Sequence, residues 1–147
     1  MKTHDQVSPD DPAARSLGTA LLGVLADLRG AGLIPAAGLY DIGSGQWIVG
    51  AGARPRGFSG EGFVLRVEGS DHLVADDSTG AADPVDVVAF LQDWAMDQLG
   101  SPWPEVVDVV GRFAELLTPR FIDGVLMWCG ERAAVASVGD LHFSHDA

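Results

Sequence analysis

Cys129 is the side chain of this sequence best suited to covalent chemistry, because a thiolate becomes a strong nucleophile once its pKa is lowered. A catalytic cysteine also needs a base at hydrogen-bond distance. His72 lies among predicted strands, while His142 and His145 lie close to the last residue, so the sequence shows no cysteine–histidine pair. Lone cysteines are commonly small buried hydrophobes. We therefore predict that Cys129 is buried in a hairpin.

The histidines near the last residue have a spacing that suits a metal ion. His142 and His145, followed by Asp146, would place two imidazoles on one side of a helical turn, and Cys129 could add a soft ligand. A structural zinc site normally has four ligands, and the chain contains no second cysteine to complete a common set. Residues 142–147 are therefore predicted to be a solvated tail, and we predict no metal ion or cofactor.

Asp76 and Asp77 are an acidic pair whose position suits metal-assisted chemistry, since they follow the apolar run Leu73-Val74-Ala75. In some folds, carboxylates at the end of such a strand hold magnesium or accept a phosphate. Lys2 is the only lysine, so no lysine near the pair could contact a phosphoryl group. An acidic turn explains the two residues without any chemistry.

The glycine-rich loop over residues 50–62 is similar to two catalytic motifs and matches neither. Gly57-Phe58-Ser59-Gly60-Glu61 has glutamate where a nucleophile elbow requires glycine. The loop also lacks the Gly-Lys-Ser/Thr ending that contacts phosphate and magnesium. It does contain Arg54 and Arg56, the only close basic pair in the chain. We predict a flexible loop between two hairpins.

Residues 67–111, which we call the acidic block, contain no lysine or arginine over 45 positions. Salt bridges within the block therefore cannot neutralise its charge, and the field of such a block extends beyond contact distance. Solubility and recognition of a basic partner both explain it. Its ten acids are Glu68, Asp71, Asp76, Asp77, Asp83, Asp86, Asp93, Asp97, Glu105 and Asp108.

Composition excludes several classes of protein. A formal net charge of -12 argues against binding to nucleic acids or anionic membranes, because phosphate neutralisation needs clustered lysine and arginine. Residues 1–5 do not begin a signal peptide, and with a single cysteine this predicts a cytoplasmic protein without disulfides. The longest apolar region, residues 17–39, contains Asp27, Arg29 and Pro35, so no membrane span is predicted.

Three helices are expected from periodicity and capping. The first begins at Pro12, after a loose arm over residues 1–11, and ends near Gly30. The second begins at Asp83-Pro84 and continues to about Leu99. It places Val87, Val88, Leu91, Trp94, Ala95 and Leu99 on one arc, with Asp86, Asp93 and Asp97 opposite. The third covers residues 105–117, where valine richness makes a strand the alternative.

Short apolar runs between glycine-rich turns predict strands. Four of them, at residues 39–42, 46–49, 62–68 and 72–76, would form successive hairpins of an antiparallel meander. After the central helices, residues 121–129 form a hairpin that turns at Asp123-Gly124, and residues 133–138 add a third strand. The sequence therefore predicts one α+β domain over residues 12–141. It comprises a meander sheet, an N-terminal helix, two central helices and a C-terminal hairpin or three-strand meander.

Several motifs in the second half of the chain are similar to those of a protein family. These are residues 90–93, Pro102-Trp103-Pro104, residues 123–129 and residues 138–141. Together they resemble small uncharacterised proteins of GC-rich bacteria over about the last 60 residues. In that family the Trp-Pro step precedes a Cys-Pro and His cluster that could bind zinc with a second Trp-x-Cys. Here residues 105–107 occupy the place of the cluster, and Cys129 alone matches a ligand position.

Our leading hypothesis is a non-enzymatic interaction protein that binds a basic protein, such as an immunity or antitoxin-like inhibitor covering a nuclease's cationic site. We expect the surface that binds this partner to include Trp103, since the tryptophan between two prolines is the least periodic one. The remaining expected contacts are acidic: Asp76, Asp77, Asp86, Asp93 and Asp97.

Two alternatives belong to other classes. One is a small hydrolase or metal-assisted enzyme that uses Asp76, Asp77 or Cys129 in a cleft beside the loop at residues 50–62. The other is a self-associating module, in which the last hairpin supplies an edge strand to a homodimer.

Overall fold

Two helices and nine strands are present in the computed structural model, which describes residues 12–76, 83–107, 114–131 and 133–141. The predicted α+β class is confirmed. Among the described residues, no helix is long and apolar enough to cross a membrane. The elements are α1 (Pro12–Gly30), β1 (Ala37–Asp41), β2 (Gln46–Val49), β3 (Gly62–Val67), β4 (Ser70–Asp76), α2 (Pro84–Leu99), β5 (Glu105–Val107), β6 (Ala114–Leu116), β7 (Thr118–Ile122), β8 (Val125–Cys129) and β9 (Ala134–Ser137).

Helix α1 has the predicted start and end, and one face of it is buried. Leu17, Leu21, Val24 and Leu28 are each 0% exposed, as the helical spacing of these residues requires. Gly23 lies where the chain after β9 approaches the helix most closely. A Cβ at Gly23 would lie only 3.0 Å from the carbonyl oxygen of Val138. The glycine is therefore explained by close packing.

The four strands β1 to β4 form one antiparallel sheet in the order β2-β1-β3-β4. Both predicted hairpins are present, but the predicted meander is wrong because β3 pairs with β1 and leaves β2 at the edge. The long connection over residues 50–61 permits this order, since it lets the chain return to the far side of β1. Leu39, Leu65 and Val67 point from this sheet into the core that the helices cover.

Helix α2 begins with the predicted cap. The Asp83 side chain accepts a hydrogen bond of 2.9 Å from the backbone N–H of Val85, and Pro84 follows it in the first turn. Gly100 ends the helix in a left-handed conformation, with φ at 71°. The predicted arc is buried at Val87, Val88, Leu91 and Ala95, whereas Leu99 in the last turn is exposed.

The predicted third helix, over residues 105–117, is wrong. Strands β5 and β6 pair antiparallel there, while residues 108–113 between them lie outside the described residues. Valine loses side-chain freedom in a helix and fits a pleated strand, and residues 106 and 107 are both valine. The strand alternative that valine richness indicated is therefore the right one for residues 105–107, and residues 114–116 form a strand as well.

The C-terminal sheet is the predicted three-strand meander, in the order β7-β8-β9. Asp123 and Gly124 form the two-residue turn between β7 and β8, with φ at 52° and 80°. Positive φ at both positions is characteristic of the hairpin turn that favours Asp-Gly. Trp128 in β8 is 0% exposed and belongs to the same core cluster as α1, α2 and the four-stranded sheet.

Asp27 of α1 is a charged residue that is nevertheless buried, with 2% of its surface exposed. One carboxylate oxygen accepts hydrogen bonds from Trp128 Nε1 at 2.8 Å and from the Gly139 backbone N–H at 2.7 Å. The other accepts from the Leu141 N–H at 2.9 Å. A buried carboxylate is tolerated only when such donors replace water. Asp27 therefore joins the first helix to the last sheet and to the chain that follows it.

Replacing Asp27 with asparagine should lower the free energy of unfolding by about 2–4 kcal/mol, because the amide NH₂ would face N–H donors. Urea denaturation followed by tryptophan fluorescence measures the change. The matched control is Asp93→Asn, the same substitution at an exposed position of α2, for which we expect a change within about 0.5 kcal/mol. Equal effects of the two substitutions would contradict the role given to Asp27.

Candidate functional site

Three acids of the acidic block have structural partners. Glu68 accepts a hydrogen bond of 2.6 Å from the Ala36 backbone N–H, and Asp83 caps α2. Asp71 forms a two-point ion pair with Arg66, the last base before the block, at 2.6 and 3.0 Å. The block contains no lysine or arginine, yet these three of its acids have hydrogen-bond or ion-pair partners.

Asp86, Asp93 and Asp97 form what we call the α2 stripe. All three are exposed, on the side of α2 opposite its buried arc, as the helical spacing predicts. Their carboxylates make no hydrogen bond or ion pair with any residue that the structure describes. Asp93 and Asp97 are one helical turn apart, a like-charge spacing that destabilises a helix by a few tenths of a kcal/mol. The stripe is thus free to meet a cation from another molecule.

The other expected partner-binding residues differ in their placement. Asp76 is the last residue of β4, where its backbone pairs with Gly62, and Asp77 lies outside the described residues. The surface position expected for Trp103 is wrong, since its side chain is only 5% exposed. Its ring packs edge-on against Trp128, with ring centres 5.5 Å apart. Such a contact between distant segments leaves no periodic signal in the sequence.

Gln92 is a buried polar residue on α2 that sequence reasoning missed. Its side-chain amide donates hydrogen bonds to the carbonyl oxygens of Trp103 at 3.1 Å and Leu117 at 2.6 Å. These bonds hold the segment after α2 and the start of β7 against the helix. Gln92 is 5% exposed and lies next to Leu91 on the buried arc, so its position on the helix was the available signal.

Cys129 is buried at 3% exposure, as predicted, and its Sγ lies 3.8 Å from the carbonyl oxygen of Met127. The described contact of the His72 imidazole is with Phe90 of α2, with ring centres 4.4 Å apart. Cys129 lies in the C-terminal sheet, whereas Asp76 ends a strand of the four-stranded sheet. Within the described parts of the chain, no group of three metal-binding side chains is found. The described residues thus do not bring the expected catalytic groups together.

An apolar groove of about 440 Å³ lies between the two helix starts and the turn of the last hairpin. Phe121 and Val125, on either side of that turn, are 46% and 48% exposed. Sequence reasoning missed the groove. The available signal was the pair of apolar residues on either side of the Asp123-Gly124 turn, because side chains next to a hairpin turn can remain exposed to solvent. Its lining residues are Pro12, Arg15, Ser16, Thr19, Ala20, Pro84, Phe121, Gly124, Val125, Leu126, Ser137 and Val138.

The loop over residues 50–61 is attached to the four-stranded sheet by side chains of the sheet. Trp47 Nε1 donates to the Gly52 carbonyl at 3.0 Å, and the Arg66 guanidinium donates to the Ala53 carbonyl at 2.8 Å. Arg66 also lies over the Trp47 ring, 5.0 Å from its centre. The sequence predicted only a flexible loop here, because anchors that lie on strands cannot be seen in the loop itself.

A second cavity, which we call the loop cleft, lies between this loop and the β1–β2 turn. Its volume is about 260 Å³. It is lined by Tyr40, Ile42, Gly43, Ser44, Gly45, Arg54, Pro55, Phe58, Ser59 and Gly60. Neither Cys129 nor any residue of α2 contributes to it.

The ion pair that anchors the loop should make stability depend on pH. The hydrogen bond from Arg66 lowers the pKa of Asp71 below its ordinary value of 3.8, against a smaller opposing effect of burial. A lowered pKa means that the stabilisation is present above pH 3.8 and is lost as the pH falls through the lower, folded-state value.

At pH 6 we therefore expect Asp71→Asn to be less stable than the wild type by up to about 1 kcal/mol, since the pair is partly exposed. The difference should vanish as the pH falls well below 3.8. Urea denaturation across this pH range measures it. In an Arg66→Gln background the same substitution should have a much smaller pH-dependent effect, because only the weaker attraction of His72 then lowers the pKa of Asp71. An unchanged pH dependence there would contradict the assignment.

Comparisons with known proteins give no relative by which these sites could be interpreted. No family model, no curated protein and no solved structure matches this chain. The resemblance to small proteins of GC-rich bacteria therefore stays a prediction. The α2 stripe, the apolar groove and the loop cleft are the features from which a function must be inferred.

Proposed function

We propose that the protein is a non-enzymatic interaction protein that binds a basic protein partner through the α2 stripe. The observation that carries the proposal is the exposure of Asp86, Asp93 and Asp97 on one side of a capped helix, without a cation among the described residues. An inhibitor of the immunity or antitoxin kind, which covers the cationic site of a nuclease, would use such a surface.

The geometry of the stripe suits an extended cationic surface. With a rise of 1.5 Å per residue, the eleven-residue step from Asp86 to Asp97 spans roughly 16 Å of helix. Acids at this spacing can meet two or three arginine or lysine side chains of one partner. Complementary charges of this kind mainly raise the rate of association and select against acidic partners.

The apolar groove can provide the apolar contacts that the charged α2 stripe does not provide. Protein interfaces usually combine a buried apolar centre with a polar rim, and a few apolar anchors contribute most of the affinity. Pro84 lines the groove, so the groove lies at the N-terminal end of the helix that carries the stripe. We expect the partner to place an apolar side chain between Phe121 and Val125 and its basic residues along α2.

Chemistry at Cys129 is disfavoured by the burial of its side chain. Self-association through the last hairpin stays a prediction, and it would use part of the same groove. A partner of opposite charge is favoured over a second copy, because two copies would each carry a net charge of -12.

The test is affinity capture of partners from the native host, followed by affinity measurement with the purified partner. Replacing all three stripe acids, as Asp86→Asn, Asp93→Asn and Asp97→Asn, should weaken binding at least tenfold and reduce its dependence on salt. The matched control changes three acids that belong to neither the stripe nor the groove, as Glu61→Gln, Glu105→Gln and Glu131→Gln, and alters the net charge equally.

The control variant should bind within about threefold of the wild type, because screening weakens distant charges. Phe121→Ser should weaken binding without changing the salt dependence, since it removes an apolar contact. The proposal is wrong if the captured partner is acidic, or if the stripe variant and the control variant lose affinity equally.

A further inference from the structure

A tyrosine hydroxyl faces the loop cleft. Tyr40 is 5% exposed, and its Oη makes no hydrogen bond with any residue that the structure describes. The hydroxyl is not among the buried polar atoms of the described residues that lack a partner, so it is accessible from the cleft. The ring is held in place by Trp47, which packs edge-on against it with ring centres 5.2 Å apart. Since Tyr40 lines the loop cleft, its hydroxyl can donate a hydrogen bond to a molecule bound there.

Arg54 brings a positive charge to the same place. Its guanidinium forms no ion pair or hydrogen bond with a described residue, although the chain has 21 acids for nine bases. Arg54 thus lies beside a cavity and has no carboxylate partner among the described residues, although the protein is acidic. It is therefore available to bind the anion of a ligand. The guanidinium offers several N–H donors in a planar fork, which fits a carboxylate at two points.

Gly45 shows that the two donors converge. A Cβ on this residue would lie 3.7 Å from Tyr40 Oη and 3.9 Å from an Arg54 terminal nitrogen. Both donors therefore reach the same small volume beside the β1–β2 turn. Gly45 has φ at 72°, which allows the turn and leaves that volume empty of side chain.

We propose that the loop cleft binds a small monocarboxylic acid, with its carboxylate between Arg54 and Tyr40 and its apolar body against Ile42, Pro55 and Phe58. Arg54 would donate two hydrogen bonds to the carboxylate oxygens, and the Tyr40 hydroxyl would donate one. Ser44 and Ser59 add hydroxyls to the lining for a polar substituent.

A carboxylate fits the charge of the cleft better than a phosphate dianion. Arg54 supplies one positive charge, and no other basic residue lines the cleft. Asp41 and Glu61 both lie beside Gly43, within 4.0 Å of where its Cβ would be, and would repel a second negative charge. The Asp41 carboxylate itself accepts the Gly43 backbone N–H at 3.0 Å. The site would therefore select a singly charged anion.

Titration of the ¹⁵N-labelled protein with benzoate, followed by amide chemical shifts, tests the proposal. We expect saturable shifts confined to residues 40–46 and 54–60. Arg54→Gln should weaken binding at least tenfold, and Tyr40→Phe, which keeps the ring on Trp47, should weaken it several-fold. Arg54→Lys keeps the charge without the fork and should be intermediate. Arg56→Gln, the control, removes the neighbouring arginine that does not line the cleft and should bind within twofold.

Four results would overturn the proposal. These are no saturable shift with benzoate, an equal loss of affinity in Arg56→Gln and Arg54→Gln, equally tight binding of neutral benzyl alcohol, and tighter binding of inorganic phosphate than of benzoate. Amide spectra unchanged outside the cleft would show that each variant is folded. The cleft includes no residue of the α2 stripe, so this test is independent of the proposed function.

Discussion

The hydrogen bonds that Asp27 accepts are the constraint on which the rest of the structure depends. A charged group buried to 98% is stabilising only if its donors stay in place, so its three N–H partners must be held together. One partner comes from Trp128 in β8, and two come from the backbone of residues 139 and 141. The first helix thereby fixes the position of the last sheet.

That attachment determines which surfaces are left for binding. Once the C-terminal sheet is fixed against α1, Trp128 fills the core and Trp103 packs against it, which removes Trp103 from the surface. The turn of the last hairpin extends beyond the core and leaves Phe121 and Val125 exposed beside the start of α2. The apolar groove therefore follows from the same packing that buries Asp27, and the acids of α2 lie on the side of the helix that the core does not cover.

The sequence predicted those elements whose signals are local. Asp83-Pro84 specified the start of α2, and Asp123-Gly124 specified the hairpin turn, because capping and positive φ are set by one or two residues. The outward direction of the α2 stripe was likewise predictable from helical spacing.

Features that depend on distant partners were not predictable. Asp27 and Trp128 are 101 residues apart, and in the sequence Asp27 is only an interruption of an apolar region. Similarly, Tyr40 and Arg54 meet because Trp47 and Arg66 hold a loop across the sheet, which no motif within the loop encodes. The strand order β2-β1-β3-β4 has the same origin, since hairpin signals do not specify which hairpin strands pair with each other.

Native-state hydrogen exchange of the Gly139 and Leu141 amides tests the role of Asp27 most directly. If their N–H groups are held by the buried carboxylate, both should exchange only through global unfolding, with the same protection free energy as the amides of α1 between Leu17 and Leu28. Exchange that is roughly a hundredfold faster than in α1 would mean that the chain after β9 opens locally. That result would contradict the claim that Asp27 fixes the last sheet to the first helix.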